Sequence, residues 1–498
     1  MSVEGLTRRV GIVALGRAAS TLSIFVVYAV LSRAWDQAEF GLFNVVWVLG
    51  NTLVPIFLLG LPTALLYFFP NRDSGGRGRL LLQGLGCLVL SGALLTGLLW
   101  SGGTLLAGWL RLDTAGQVEL APYLIPVLPY VFALVAGGLV EPGLVAAGHH
   151  RRAAWLALST ACAQVGLAWG GAALGLAAPQ VLAGFSAIGL VRLAVGLVLV
   201  GQVVDWRGAW GQGQGLRGYL AYARPIGLND AVGALSRSVD RFVIYAFFTV
   251  ETFALYNVGA VEIPVSLLLA ALVTVMVPEI SRLYKAGDLA AIALLWQQAV
   301  QRLALVVVPL FALLFALAEP LIAVYLDATY ARTEWVFRIF LLALPLRCAV
   351  YNPLLVGMGK ARWALWGGLV DLGLNALLSI CLVLVLQAHW SEWAFVGPAV
   401  ATVVATYLQV ALLIWMIGHH LQWRFGQLLP WGSLARLAVG GAVAGTVAWW
   451  GAGTVSLVWG QLLLGGGLFG VLWLGFLAAS PVERGAMKQV LRSLGGGR

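Results

Sequence analysis

The sequence predicts an all-α integral membrane protein with about fourteen transmembrane helices: two six-helix lobes of like orientation and an extra C-terminal pair. Three observations carry this. The chain of 498 residues is 61% hydrophobic and only 10% charged, with a mean hydropathy of +0.93. Soluble domains carry about 25% charged residues, so a water-surrounded fold is excluded. Its basic residues alternate between rich and poor loops, and two short motifs recur about 212 residues apart.

Apolar stretches of about 20 residues fall at 10–31, 40–69, 80–110, 120–148, 153–178, 180–204, 225–248, 253–278, 299–326, 336–358, 363–387, 394–417, 433–452 and 457–479. Several are too long for one straight span and are expected to overshoot the hydrocarbon or kink at Pro55, Pro62, Pro126 or Pro309. With these spans, nineteen loop Lys and Arg residues fall on one side, and only Arg33, Arg111 and Arg332 on the other. By the positive-inside rule both termini are cytoplasmic. The net charge of +10 is therefore explained by topology rather than by nucleic-acid binding.

FGLFNV at 40–45 returns as FALYNV at 253–258, and PGLVAAGHHRRAAW at 142–155 as PLLVGMGKARWALW at 353–366. The offsets, 213 and 211, nearly agree, which points to duplication of a six-span unit. An even span number gives both copies the same orientation, related by an axis along the membrane normal. The expected parts are lobes 1–204 and 225–417, a Gly-rich cytoplasmic linker 205–224, an added pair 433–479 and a tail 480–498.

The seventh span is unlike the others. PIGLNDAVGALSRSVDRFVIYAFF (225–248) is long enough to cross yet holds Asp230, Arg237, Asp240 and Arg241. A charge at mid-membrane costs roughly 2.5–3.5 kcal/mol even on a lenient scale. In a continuous helix Asp230, Arg237 and Arg241 share a face with Ala234, and Asp240 follows Arg237 closely enough to pair. The opposite side carries Val232, Leu235, Val239, Val243 and Phe247. Arg17 of the first span is the repeat equivalent of Asp230, so each copy opens on a charged helix. Elsewhere in the spans Arg338 reads as snorkelling and Asp371 with Asn375 as an interhelix bond, while Glu141, just before Pro142, is either a cap or interhelix pair or a functional group.

Other chemistry is absent from the pattern. GMGKAR (357–362) has neither P-loop spacing nor the following Ser or Thr, so no ATP motor is encoded. Cys87, Cys162, Cys348 and Cys381 lie in apolar spans without metal-ligand or disulfide spacing. The five histidines sit at loops or span ends, and no catalytic constellation or cofactor motif emerges.

The runs LSRAWDQAEFGLFNVVWVL and LGLPTALLYFFPN (31–49 and 59–71), AEPLIAVYLDATYARTEWVFRIFLLALPL (318–346) and NPLLVGMGKARWAL (352–365) resemble bacterial polysaccharide flippases of the O-antigen type. These belong to the multidrug/oligosaccharidyl-lipid/polysaccharide exporter superfamily. The resemblance covers most of residues 5–420 and implies two lobes facing a central cavity, with undecaprenyl-diphosphate-linked glycan moved from the inner to the outer leaflet. It also implies a bacterial cytoplasmic-membrane setting among membrane lipids, a glycan polymerase and glycosyltransferases. Arg17, Arg237 and Arg241 would then hold the diphosphate, with Asp230 and Asp240 orienting them. Phe25, Tyr28 and Tyr245 are either sugar-stacking rings or packing residues. The alternatives are a lipid II flippase of peptidoglycan synthesis, whose Asp-Ala-Phe and Pro-Asn runs are missing here, and a cation-coupled multidrug extruder, whose cavity needs acidic residues. A non-transporting scaffold would not need charged mid-span helices.

Overall fold

The computed structural model describes residues 3–110, 120–204, 216–261, 263 and 266–494. Among them there are helices and connecting turns but no strand. This is the expected solution in lipid, where each backbone N–H and C=O needs a partner within its own segment. Two compact units, Met1–Asn257 and Val258–Arg498, divide the chain.

The first unit runs through α1 (Val3–Ala34), α2 (Gln37–Phe57), α3 (Leu61–Phe68), α4 (Ser74–Leu110), α5 (Ala121–Ala136) and α6 (Val140–Ala146). It continues with α7 (His150–Ala173), α8 (Ala178–Gly201), α9 (Leu216–Ser236), α10 (Val239–Phe247) and α11 (Val250–Gly259), which crosses into the second unit. α1 packs along α7, α4 along α5, and α5 along α8. The core is aromatic: Trp47 stacks on Phe43 at 5.6 Å and on Tyr130 at 5.0 Å, and Phe185 leans on it at 5.2 Å.

Only one of the expected proline kinks marks a break. The span 40–69 divides at Leu58–Gly60, between Pro55 and Pro62, where Leu59 and Gly60 have positive φ. A Cβ at Gly60 would lie 2.5 Å from the Ala223 carbonyl of α9, so glycine is needed for this approach. α5, by contrast, runs unbroken through Pro126 and Pro129, as does the helix Leu289–Ala316 through Pro309. In α5 the Ser186 hydroxyl from α8 enters the ladder, accepting from the Tyr130 N–H at 3.1 Å and donating to the Pro126 carbonyl. This re-satisfies backbone groups that the prolines disturb.

The second unit comprises α12 (Ser266–Lys285), α13 (Leu289–Ala316), α14 (Ala318–Tyr325), α15 (Thr333–Leu341), α16 (Tyr351–Gly357) and α17 (Ala361–His389). α18 (Gly397–Leu421), α19 (Phe425–Leu428), α20 (Trp431–Ala452), α21 (Val458–Ala479) and α22 (Pro481–Leu494) complete it. α20 packs on α13, and α21 on α20 and α14. The buried Glu483 of α22 holds Arg436 of α20 at 2.9 Å and accepts from Ser433 at 3.0 Å.

Ten helical segments among the described residues are long and apolar enough to cross a membrane, by length and composition. The other four of the expected fourteen depart for visible reasons. Ala18–Ala34 is a shorter apolar helix. The stretch 225–248 carries four charges, 253–278 includes undescribed positions, and 433–452 is diluted by glycines and Arg436.

The recurring Pro-Leu-Val-Gly motif folds alike in both places. α6 ends with Gly148 at φ 85°, whose N–H bonds Val145 O at 3.0 Å while the His149 N–H bonds Leu144 O at 2.8 Å. α16 ends with Gly359 at φ 70°, with Gly359 N–H to Val356 O at 3.0 Å and Lys360 N–H to Leu355 O at 2.8 Å. This is a Schellman cap, and the left-handed position explains why both copies have glycine there.

Candidate functional site

The seventh span is not the continuous helix that its pattern predicts. It breaks between Ser236, the last residue of α9, and Val239, the first of α10. The Ser238 N–H bonds Leu235 O at 3.0 Å, a tight turn, and the helix resumes with Phe242 N–H on Ser238 O at 3.1 Å. No proline or glycine lies at the break. Arg241 Nη1 occupies one group of the interrupted ladder, donating to the Arg237 carbonyl at 2.7 Å, and the Ser238 side chain is held from α2, its Oγ accepting from Thr52 at 2.7 Å. Irregular backbone at membrane depth survives where protein groups meet it in this way.

The break redirects the charges. Arg237 and Asp240 form no ion pair, which corrects the expectation drawn from a straight helix. Asp240 is 1% exposed and accepts from the Tyr256 hydroxyl of α11 at 2.8 Å, with Arg241 as its favourable charge. It sits in the first turn of α10, where a carboxylate also meets the helix dipole. Arg241 is half-buried. Arg237 is exposed; its guanidinium lies against Gly233, 3.3 Å from where a Cβ would sit, and in the field of the half-buried Asp230. Ala234, expected on an open charged face, is buried. Arg17 lies on the backbone of α1, but its side chain is outside the described residues.

Three polar residues that the charge pattern did not single out complete the cluster. Asn257 Nδ2 donates to Asn44 Oδ1 at 2.9 Å, and both are buried. The Tyr28 phenol interacts with Asn257 and lies in the field of Arg241. Asn44, Tyr256 and Asn257 were visible in the repeated motif as the polar residues of an apolar run. Tyr28 packs edge-on to Phe40 at 5.9 Å and Phe43 at 6.4 Å, and Tyr245 is buried edge-on to Phe253, so both rings serve packing.

Two further intramembrane arginines are paired locally. Glu141 of α6 meets Arg192 of α8 at 4.0 Å, and Arg338 meets Glu334 at 2.8 Å above the Phe315 ring. Asn375 of α17 accepts from Thr402 of α18 at 3.2 Å. No group of His, Cys, Asp and Glu among the described residues is arranged to hold a metal ion.

Residues 157–333 match a family model described as polysaccharide biosynthesis protein. No curated protein matches the chain in sequence. Among solved structures it is similar to the lipid II flippase MurJ in an inward closed conformation, with TM-score 0.70 at 12% identity, covering 93% of this chain and 97% of that one. A multidrug resistance MATE family transporter of the MOP superfamily, inward-facing, aligns with TM-score 0.63 at 15% identity over 81% of this chain and 94% of its own. A MOP superfamily transporter from Pyrococcus furiosus, described as having a binding pocket of reverse polarity, aligns with TM-score 0.60 at 16% identity over 84% and 95%.

The fold is that of the MurJ and MATE structures. The family match over residues 157–333 agrees with the resemblance of the sequence runs to polysaccharide flippases.

Proposed function

We propose that this transporter moves undecaprenyl-diphosphate-linked oligosaccharide or polysaccharide repeat units from the inner to the outer leaflet of the bacterial cytoplasmic membrane by alternating access. The observation that carries the reading is the broken seventh span, which presents two arginines while its buried carboxylate is engaged by Tyr256. A diphosphate brings about two negative charges that a low-dielectric site must compensate, and arginine stays ionised and offers a planar fork to phosphate oxygens. Arg237 and Arg241 supply that fork, Arg17 of the first span adds a third cation, and Asp230 orients Arg237 in the empty site. Asp240 acts on Arg241 and anchors α10 through Tyr256. Lobes 1–204 and 225–417 rock about the linker 205–224 while the pair 433–479 stays outside the moving cavity. The loop charges support cytoplasmic termini. Glycosyltransferases and a glycan polymerase supply and consume the substrate.

Lipid II is the competing cargo, favoured by the high coverage of the MurJ likeness. Proteoliposomes holding either a lipid-linked oligosaccharide or lipid II separate the two. The expected result is translocation of the former, lost in R237A and R241A at normal protein level and partly kept in R237K and R241K. Translocation of lipid II alone overturns the cargo. Full transport by both Ala variants overturns the site.

A further inference from the structure

Asn44 and Asn257 are the same residue of the two repeated motifs, 213 positions apart, and they bond to one another. A contact between two copies of a duplicated unit normally has a symmetry mate elsewhere, residue i on j and j on i. A contact between equivalents is its own mate and therefore lies on the axis relating the copies. Around it the two copies differ. Tyr256 and Asp240 in the second stand where the first has Phe43 and Val27, so of the polar residues of the motif only the asparagine is common to both copies.

The bonds that tie α2 to the second copy at this place are neutral. Asn257 reaches Asn44, and Thr52, about two turns further along α2, reaches Ser238 at the break. Asn44 returns its own Nδ2 to Phe40 O at 2.8 Å, which fixes the amide's orientation. Nearby, a methyl on Gly41 would collide with the Val250 carbonyl, so α2 and the start of α11 are in close contact there. Neutral amide pairs exchange with water at little net cost, each biasing an equilibrium by about two- to tenfold. A seam closed this way is firm when dry and opens without separating charges.

We propose that the Asn44–Asn257 bond is a reversible latch on the axis between the two copies. It closes the transport path at the end where α2 begins, and it breaks each time the path opens there. The inference rests on the alternating-access reading above, and with cytoplasmic termini that end faces outward.

The test uses full-length protein in membranes with Cys87, Cys162, Cys348 and Cys381 replaced by Ala. In N44C/N257C, mild oxidation should cross-link the pair, cut glycan translocation to about a tenth or less, and allow recovery on reduction. N44C or N257C alone should react slowly with a membrane-impermeant maleimide added outside. N44A should speed the labelling of N257C by about two- to tenfold. Failure to cross-link, full transport by cross-linked protein, or complete protection of both single cysteines during turnover each overturns the latch. External labelling that N44A accelerates, in protein that moves no glycan, supports the latch and overturns only the proposed cargo.

Discussion

The substitution Tyr256→Phe isolates one atom of the seventh-span cluster. It removes the hydroxyl that donates to Asp240 at 2.8 Å and leaves the buried ring in place. A phenyl ring is sterically acceptable, since Phe43 holds the equivalent position in the first motif. The loss is one hydrogen bond to a carboxylate that is 1% exposed, worth about 1.5–3 kcal/mol. At about 2 cal/mol/K of unfolding entropy per residue, 2 kcal/mol lowers the melting midpoint by roughly 2 °C if the whole chain melts together, and by roughly 4 °C if the first unit melts alone. The double variant D240V/Y256F gives the second copy the residues of the first, where Val27 is 1% exposed. Replacing a buried polar pair together by apolar residues is often neutral or stabilising, so the double variant should melt above Y256F. Intrinsic tryptophan fluorescence during a thermal ramp in detergent reads all three proteins. A Y256F midpoint equal to wild type, or a double variant less stable than Y256F, refutes the reasoning.

Topology is checked by reporter fusions: those after Arg152, Arg224 and Arg362 should read cytoplasmic and those after Asp113 and Glu334 external, with two reversals overturning the assignment. Gly148→Ala or Gly359→Ala places a Cβ in the left-handed region at the cap, costing about 1–2 kcal/mol, whereas Asn at the same place should cost less. Equal thermal midpoints for the Ala and Asn variants would argue against the cap as the reason for glycine.

Much of this fold is written in local patterns. The apolar runs and the capping glycines of the repeated motif are read directly, because hydropathy and left-handed φ are properties of single residues and short windows. The break at Arg237–Ser238 is not, because no Pro or Gly marks it. It is stabilised by Thr52 from another helix and by Arg241 folding back on a carbonyl, and both depend on tertiary neighbours. The face assignment of the charges failed for the same reason: a helical wheel presumes an unbroken axis. Asp240 consequently turns to Tyr256, sixteen residues on, rather than to Arg237.

Ser186 changes what the prolines of α5 can do mechanically. A proline in a membrane helix ordinarily leaves a soft joint, where an unmade backbone bond lets the two halves bend. Here the joint is occupied: a hydroxyl anchored on α8 holds the Tyr130 N–H and the Pro126 carbonyl on either side of it. Bending α5 at this point would pull Ser186 out of both bonds, so α5 and α8 move as one stiff plate. Compliance in the first unit is thereby shifted toward the interruption Gly137–Leu139, because Leu58–Gly60 is flanked by bonds of its own, Ser91 Oγ to Phe57 O at 2.7 Å and Tyr219 Oη to Leu61 O at 2.9 Å.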